Sequence, residues 1–162
     1  QRIDDNFFIV KCALSDWEPR FTKFYCTEGD PGTSSMFEPT RQYENAFKLK
    51  DVVEVPVITL KDFFDLFPWD KVSYIEQLKI DAQSADFDIV RGCGDYLSER
   101  VVYLDVEITT FNQYKHFENP NEFHNYILNS GFEVISTGGN CTYYNKKFSD
   151  IKDTINHKFL NY

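Results

Sequence analysis

The chain has 162 residues, 42% of them hydrophobic and 17% aromatic, which suits a single domain over residues 1–162 with a sizeable apolar core. Its formal charge of −9 comes with only 17 Lys and Arg, scattered along the sequence, and this argues against a nucleic-acid partner, because neutralising phosphates takes clustered cations. No apolar run approaches the ~20 residues of a membrane span, and Cys12, Cys26, Cys93 and Cys141 form no C-x-x-C pair, so packed thiols are expected rather than a metal site.

Residues 7–14 (FFIVKCAL) and 20–27 (RFTKFYCT) are rich in aromatic and β-branched side chains and flank the turn-like SDWEP, which predicts two strands joined as a hairpin. Residues 28–50 mix Gly, Pro, Ser and charge without a period and read as a long surface loop, able either to close over an acceptor or merely to connect. A strand is expected over 52–59, with Pro56 hinting at an edge or bulge. Thr59 and Asp62 then resemble a capping pair, with Leu60, Phe63, Phe64 and Phe67 on one helical face and Pro68 ending the helix.

Residues 75–81 (IEQLKID) predict another strand, followed by a helix capped by Ser84 and weakened by Gly92 and Gly94. Residues 100–108 (RVVYLDVEI) are nearly continuous in apolar character, as befits a central parallel strand covered on both faces. Asn119, Pro120 and Glu122 open a helix that Gly131 stops. A hairpin over 132–136 and 141–148 follows, then a terminal helix over 150–160. Asn140-Cys141-Thr142 matches a glycosylation sequon, which matters only in a secretory compartment.

This order amounts to two βαβ steps and a closing hairpin, and particular motifs sharpen it. VPVITLKD (55–62) is similar to the V-x-x-x-T-L-D-D run of FkbM-type methyltransferases, and LKIDAQSAD (78–86) resembles their L-K-I-D-x-E/Q-G-x-D/E motif. IVRG (89–92), the strand ending in Glu107, ILNSGF (127–132) and DPGTSSM (30–36) also resemble stretches of that family. The resemblance, from about Phe7 to Phe148, implies an α/β fold with a Rossmann-like class I methyltransferase sheet, mostly parallel and closed by a C-terminal antiparallel hairpin, of which these residues resemble the later, C-terminal portion. It implies an O-methyltransferase that uses S-adenosylmethionine on a hydroxyl of a sugar or other small metabolite. Two departures stand out. No Asp-x-Gly-x-x-Gly occurs in the sequence, so the cofactor-gripping segment, and with it the rest of the sheet, either comes from a preceding stretch or a partner chain or is lost. Ser84 stands where the family usually has glycine.

In an open α/β sheet, function gathers beyond the carboxyl ends of the strands, which selects Asp81, Gln83 and Glu107. Asp81 is assigned as the base or orienter at the acceptor, Glu107 as a second carboxylate on the adjacent strand, and Gln83 as a hydrogen-bonding residue for cofactor or substrate. The competing reading has Asp81 and Asp86 complementing a helix N-terminus. A Mg²⁺ or Ca²⁺ held by the two carboxylates would need more oxygen ligands than the sequence places there, so no metal is assigned. Lys79 reads as a solvated or ion-paired lysine, and Tyr103, Tyr143 and Tyr144 as packing residues. His116, His124 and His157 have no evident Ser or Cys partner, which leaves triad chemistry unsupported. The alternative to an enzyme is a non-catalytic methyltransferase-like scaffold or subunit without a working cofactor site.

Overall fold

The computed structural model describes residues 8–17, 20–138 and 140–152. Its elements are strands β1 (Ala13–Leu14), β2 (Phe21–Thr27), β3 (Leu49–Ile58), β4 (Ile75–Ile80), β5 (Val101–Glu107), β6 (Phe132–Ser136) and β7 (Asn140–Asn145), with helices α1 (Leu60–Asp65), α2 (Asp86–Arg91), α3 (Tyr96–Arg100) and α4 (Pro120–Asn129). The strands form two sheets, one in the order β1-β3-β2 and the other in the order β4-β5-β7-β6.

The fold is α/β, but the expected mostly parallel Rossmann-like sheet is not what forms. Among the described residues only β1/β3 and β4/β5 run parallel, whereas β2/β3, β5/β7 and β6/β7 run antiparallel. The physical reason lies in β3. Strands of a parallel sheet must be covered on both faces, yet β3 carries Lys50, Asp51 and Glu54 and is exposed along its first six residues. It therefore forms a solvated ribbon with β2, paired from Phe21↔Pro56 to Thr27↔Leu49. Consequently β3-α1-β4 is not a βαβ step within one sheet, and only β4-α2-α3-β5 qualifies. The expected hairpin between the first two strands is also absent, since β1 and β2 both pair with β3 and not with each other. β1 joins β3 only at Val57 and Ile58, so the sheet at Pro56 is two strands wide, a setting in which proline is tolerated.

The second half follows its sequence closely. Thr59 caps α1 with a complete capping box: its hydroxyl accepts from the Asp62 N–H at 3.0 Å, and the Asp62 carboxylate accepts from the Thr59 N–H at 3.1 Å. Asn119 caps α4 by accepting from the Asn121 and Glu122 N–H groups, with Pro120 in the first turn. Gly131 beyond it has φ +97°, the left-handed conformation that glycine tolerates. β5 is buried from Val101 to Val106 at the centre of its sheet, flanked by parallel β4 and antiparallel β7. Residues 146–151 form a 3-10 turn, and the remainder of the expected terminal helix lies outside the described residues.

The main core joins Leu60 and Phe64 of α1, Phe87, Ile89 and Val90 of α2, Leu97 of α3, and Phe123 and Ile127 of α4 to Leu104, Val106, Phe132 and Tyr143 of the sheet. Tyr103 and Tyr144 pack with Val102 in a smaller cluster, so all three tyrosines read as packing residues are buried. The four cysteines are unbridged. Cys93 is fully buried, its thiol donating weakly to the Ile89 carbonyl at 3.6 Å, and burial pushes its pKa up to about 12. Gly92 marks a close approach. A Cβ there would collide with the Ser15 carbonyl oxygen and sit 3.3 Å from the Asp88 oxygen, while the Gly92 carbonyl accepts from the Lys61 N–H at 2.8 Å.

Candidate active site at the strand ends

Parallel pairing of β4 and β5 sets Ile80 against Val106, so Asp81, just past the end of β4, comes beside Glu107, the last residue of β5, which also pairs with Asn140 of β7. Gln83 joins them, its side-chain amide donating to Asp81 Oδ1 at 3.1 Å. Sequence reasoning thus selected three residues that do converge. The lip they form is open: Asp81 is exposed, Gln83 and Glu107 are half-buried, and β4 is the edge strand of its sheet among the described residues. Two surface concavities lie elsewhere, one around Glu38, Glu44 and Phe47, the other around Asp88, His116 and Glu118.

The turn that carries Gln83 is strained. Gln83 and Ser84 have φ +53° and +76°, left-handed values unusual for side-chain-bearing residues. Ser84 therefore cannot act as the expected helix cap. The N-cap position of α2 is Ala85, which offers no side-chain bond, and Glu118 does the capping from a distance: its Oε1 accepts from the Phe87 N–H at 2.7 Å and the Asp88 N–H at 3.3 Å. Surrounding contacts hold the strained turn in place. The Ser35 hydroxyl donates to the Gln83 carbonyl at 2.7 Å, and the buried Tyr114 hydroxyl lies 2.8 Å from the Thr33 carbonyl and 3.1 Å from Gln83 Oε1. The segment over 28–50 is fastened as well, by the Tyr25↔Ser35 and Pro39↔Tyr114 bridges and the Thr40 N–H to the Gln113 carbonyl.

Electrostatics at the lip follow from burial and like charge. Glu107 has its pKa raised by desolvation and then by Asp81 beside it. Asp86, almost fully buried, is pushed up to about 7 by burial, with Glu107 and Asp81 adding to the shift and the Ala82 and Glu107 backbone N–H groups opposing it. Tyr114 is raised to about 12 by burial first, then by Glu107 and Asp30. A cation placed at the lip would relieve the repulsion between the carboxylates. The lip therefore suits a positively charged group, and no glycine-rich turn accompanies it in the sequence.

Other candidates take structural roles. Lys79 faces Asp105 in the β4/β5 register and is exposed, while the Asp105 carboxylate is held by the Gln77 amide and, at 2.6 Å, by the Thr142 hydroxyl. His124 Nδ1 lies 2.7 Å from the Tyr143 hydroxyl, and His157 falls outside the described residues. Sequence reasoning missed Tyr114 and Glu118, which act across separations of 30 residues or more, and no periodicity in the stretch around 109–118 betrays them.

A methyltransferase domain is what comparison with known families returns: the FkbM methyltransferase domain matches residues 1–134. The chain belongs to that family. The match stops within β6, so β7 lies beyond it. No curated protein and no solved structure matches the chain.

Proposed function

We propose that the protein transfers a methyl group from S-adenosylmethionine to a hydroxyl of a sugar or another small metabolite, with the reacting groups at the lip formed by the ends of β4 and β5. The observation that carries this reading is the convergence of Asp81, Gln83 and Glu107 in a chain of the FkbM methyltransferase family. S-adenosylmethionine supplies a methyl group on a positively charged sulfur. The work left to this chain is to hold the acceptor hydroxyl in line and to receive its proton. Asp81 is exposed and able to accept that proton. Gln83, fixed by Tyr114 and Ser35, orients the neighbouring groups, and Glu107 adds the negative potential that favours a cationic donor.

Calorimetry of the natural full-length protein with S-adenosylmethionine tests the binding half of the proposal, and labelled-methyl incorporation into a panel of monosaccharides tests the chemistry. Asp81→Asn should lower turnover about 10²-fold or more while cofactor affinity stays within a small factor of wild type. Equal turnover would remove Asp81 from the mechanism. No heat at millimolar cofactor would instead favour a non-catalytic scaffold, the reading that the absence of Asp-x-Gly-x-x-Gly from this sequence supports.

A further inference from the structure

Away from the strand-end lip, the carboxylates of Asp88 and Glu118 and the imidazole of His116 bring one ligand atom each within 4.8 Å of one another. They come from the first turn of α2 and the segment before α4. Asp88 is deeply buried, with 5% of its side chain accessible, and His116 is held flat against Phe37, ring centroids 4.1 Å apart. These orientations are fixed by packing, as a preformed ligand set requires. His116 itself is about one-third accessible, but its Nε2 is shielded from solvent and makes no hydrogen bond; the nearest polar atom is Asp88 Oδ2 at 3.3 Å, an ion pair when the imidazole is protonated. In the neutral imidazole a lone pair on that nitrogen would face the Asp88 carboxylate unmatched, and a cation between the two would satisfy both. The small concavity lined by Asp88, Arg91, His116, Phe117 and Glu118 gives an ion a way in.

We propose that Asp88, His116 and Glu118 form a binding site for a first-row divalent cation of the Zn²⁺ or Co²⁺ type. One imidazole with two carboxylates selects such ions over Mg²⁺ and Ca²⁺, which favour all-oxygen shells. Two existing contacts accommodate the ion. Arg91 now pairs with Asp88, but its Nε is also 2.8 Å from Asp16 Oδ2 and its guanidinium lies 4.3 Å from the centre of the Phe87 ring, so yielding Asp88 leaves it partnered. Glu118 uses Oε1 to cap α2 and has a second oxygen to offer. This site is independent of the methyl-transfer reading.

Titration of the full chain with Zn²⁺ by calorimetry, and with Co²⁺ by visible absorption, tests it against His116→Phe, which keeps a ring stacked on Phe37 and removes the nitrogen. Expected are one ion per chain, Co²⁺ bands without thiolate charge transfer, and affinity more than ~100-fold weaker in His116→Phe. That loss exceeds the ~10–100-fold of a mere supporting group. Failure of the folded wild-type protein to take up either ion, unchanged affinity in His116→Phe, or a thiolate signature from the cysteines would each overturn the proposal. Because Glu118 also caps α2, Glu118→Gln serves as a second variant. It keeps an oxygen acceptor for the helix and should still weaken Zn²⁺ binding, with circular dichroism reporting that the fold is intact.

Discussion

Ser84 occupies a backbone conformation with φ +76° that glycine adopts freely and serine does not. Strain of this kind amounts to ~1–3 kcal/mol, while glycine forfeits ~0.5–1 kcal/mol through its looser unfolded state. Ser84→Gly is therefore expected to raise stability by between zero and about 2.5 kcal/mol, read as a higher urea midpoint with unchanged slope; a lower midpoint would show that the serine side chain contributes something the backbone argument omits. Gly92 presents the opposite case. The sequence suggests a glycine that weakens a helix, whereas its hydrogen atom is what lets the end of α2 rest on Ser15. Gly92→Ala should destabilise by roughly 1–3 kcal/mol despite alanine's better helix propensity, and a stabilised variant would refute the close packing.

At the level of elements, α4 and the β6/β7 hairpin were legible because each is specified by neighbours in sequence: Asn119, Pro120 and Glu122 at one end of the helix, Gly131 at the other, and a turn between two apolar strands. α1 was legible for the same reason. Removing its capping hydroxyl by Thr59→Ala should cost about 1 kcal/mol, measurable by denaturant titration; no loss would mean that the packing of Leu60 and Phe64 alone maintains α1. Partner choice was not legible. Whether residues 49–58 pair with β2 or enter a parallel sheet depends on what covers their faces; Lys50, Asp51 and Glu54 mark the segment as solvated, but nothing local to it encodes which strand it pairs with. Ser84 illustrates the same limit from another side, since the true cap of α2 is a glutamate from beyond β5. The strand-end residues were legible only as positions. That Tyr114 and Ser35 pin the turn bearing Gln83 depends on contacts across 31 and 48 residues.

For the molecule as a whole, acidity is concentrated where the fold brings separate strands together, and this makes stability depend on pH. Glu107 has a folded pKa above its ordinary value, chiefly from desolvation. Its contribution is complete below the unfolded value of ~4.3 and is lost as pH rises through the folded one, where the carboxyl must ionise in a half-buried site beside Asp81. Glu107→Gln should accordingly gain stability relative to wild type on going from pH 4 to neutral. Melting temperatures of the two proteins that run parallel over that interval would contradict the assignment.

Cys93 has a consequence of its own. A thiol with no solvent contact and a pKa near 12 reacts with alkylating reagents only when the core around Ile89 and Val90 breathes. Its labelling rate in the native protein is a clock for those openings, read by mass spectrometry without introducing any probe, and the half-buried Cys26 supplies a faster reference in the same tube.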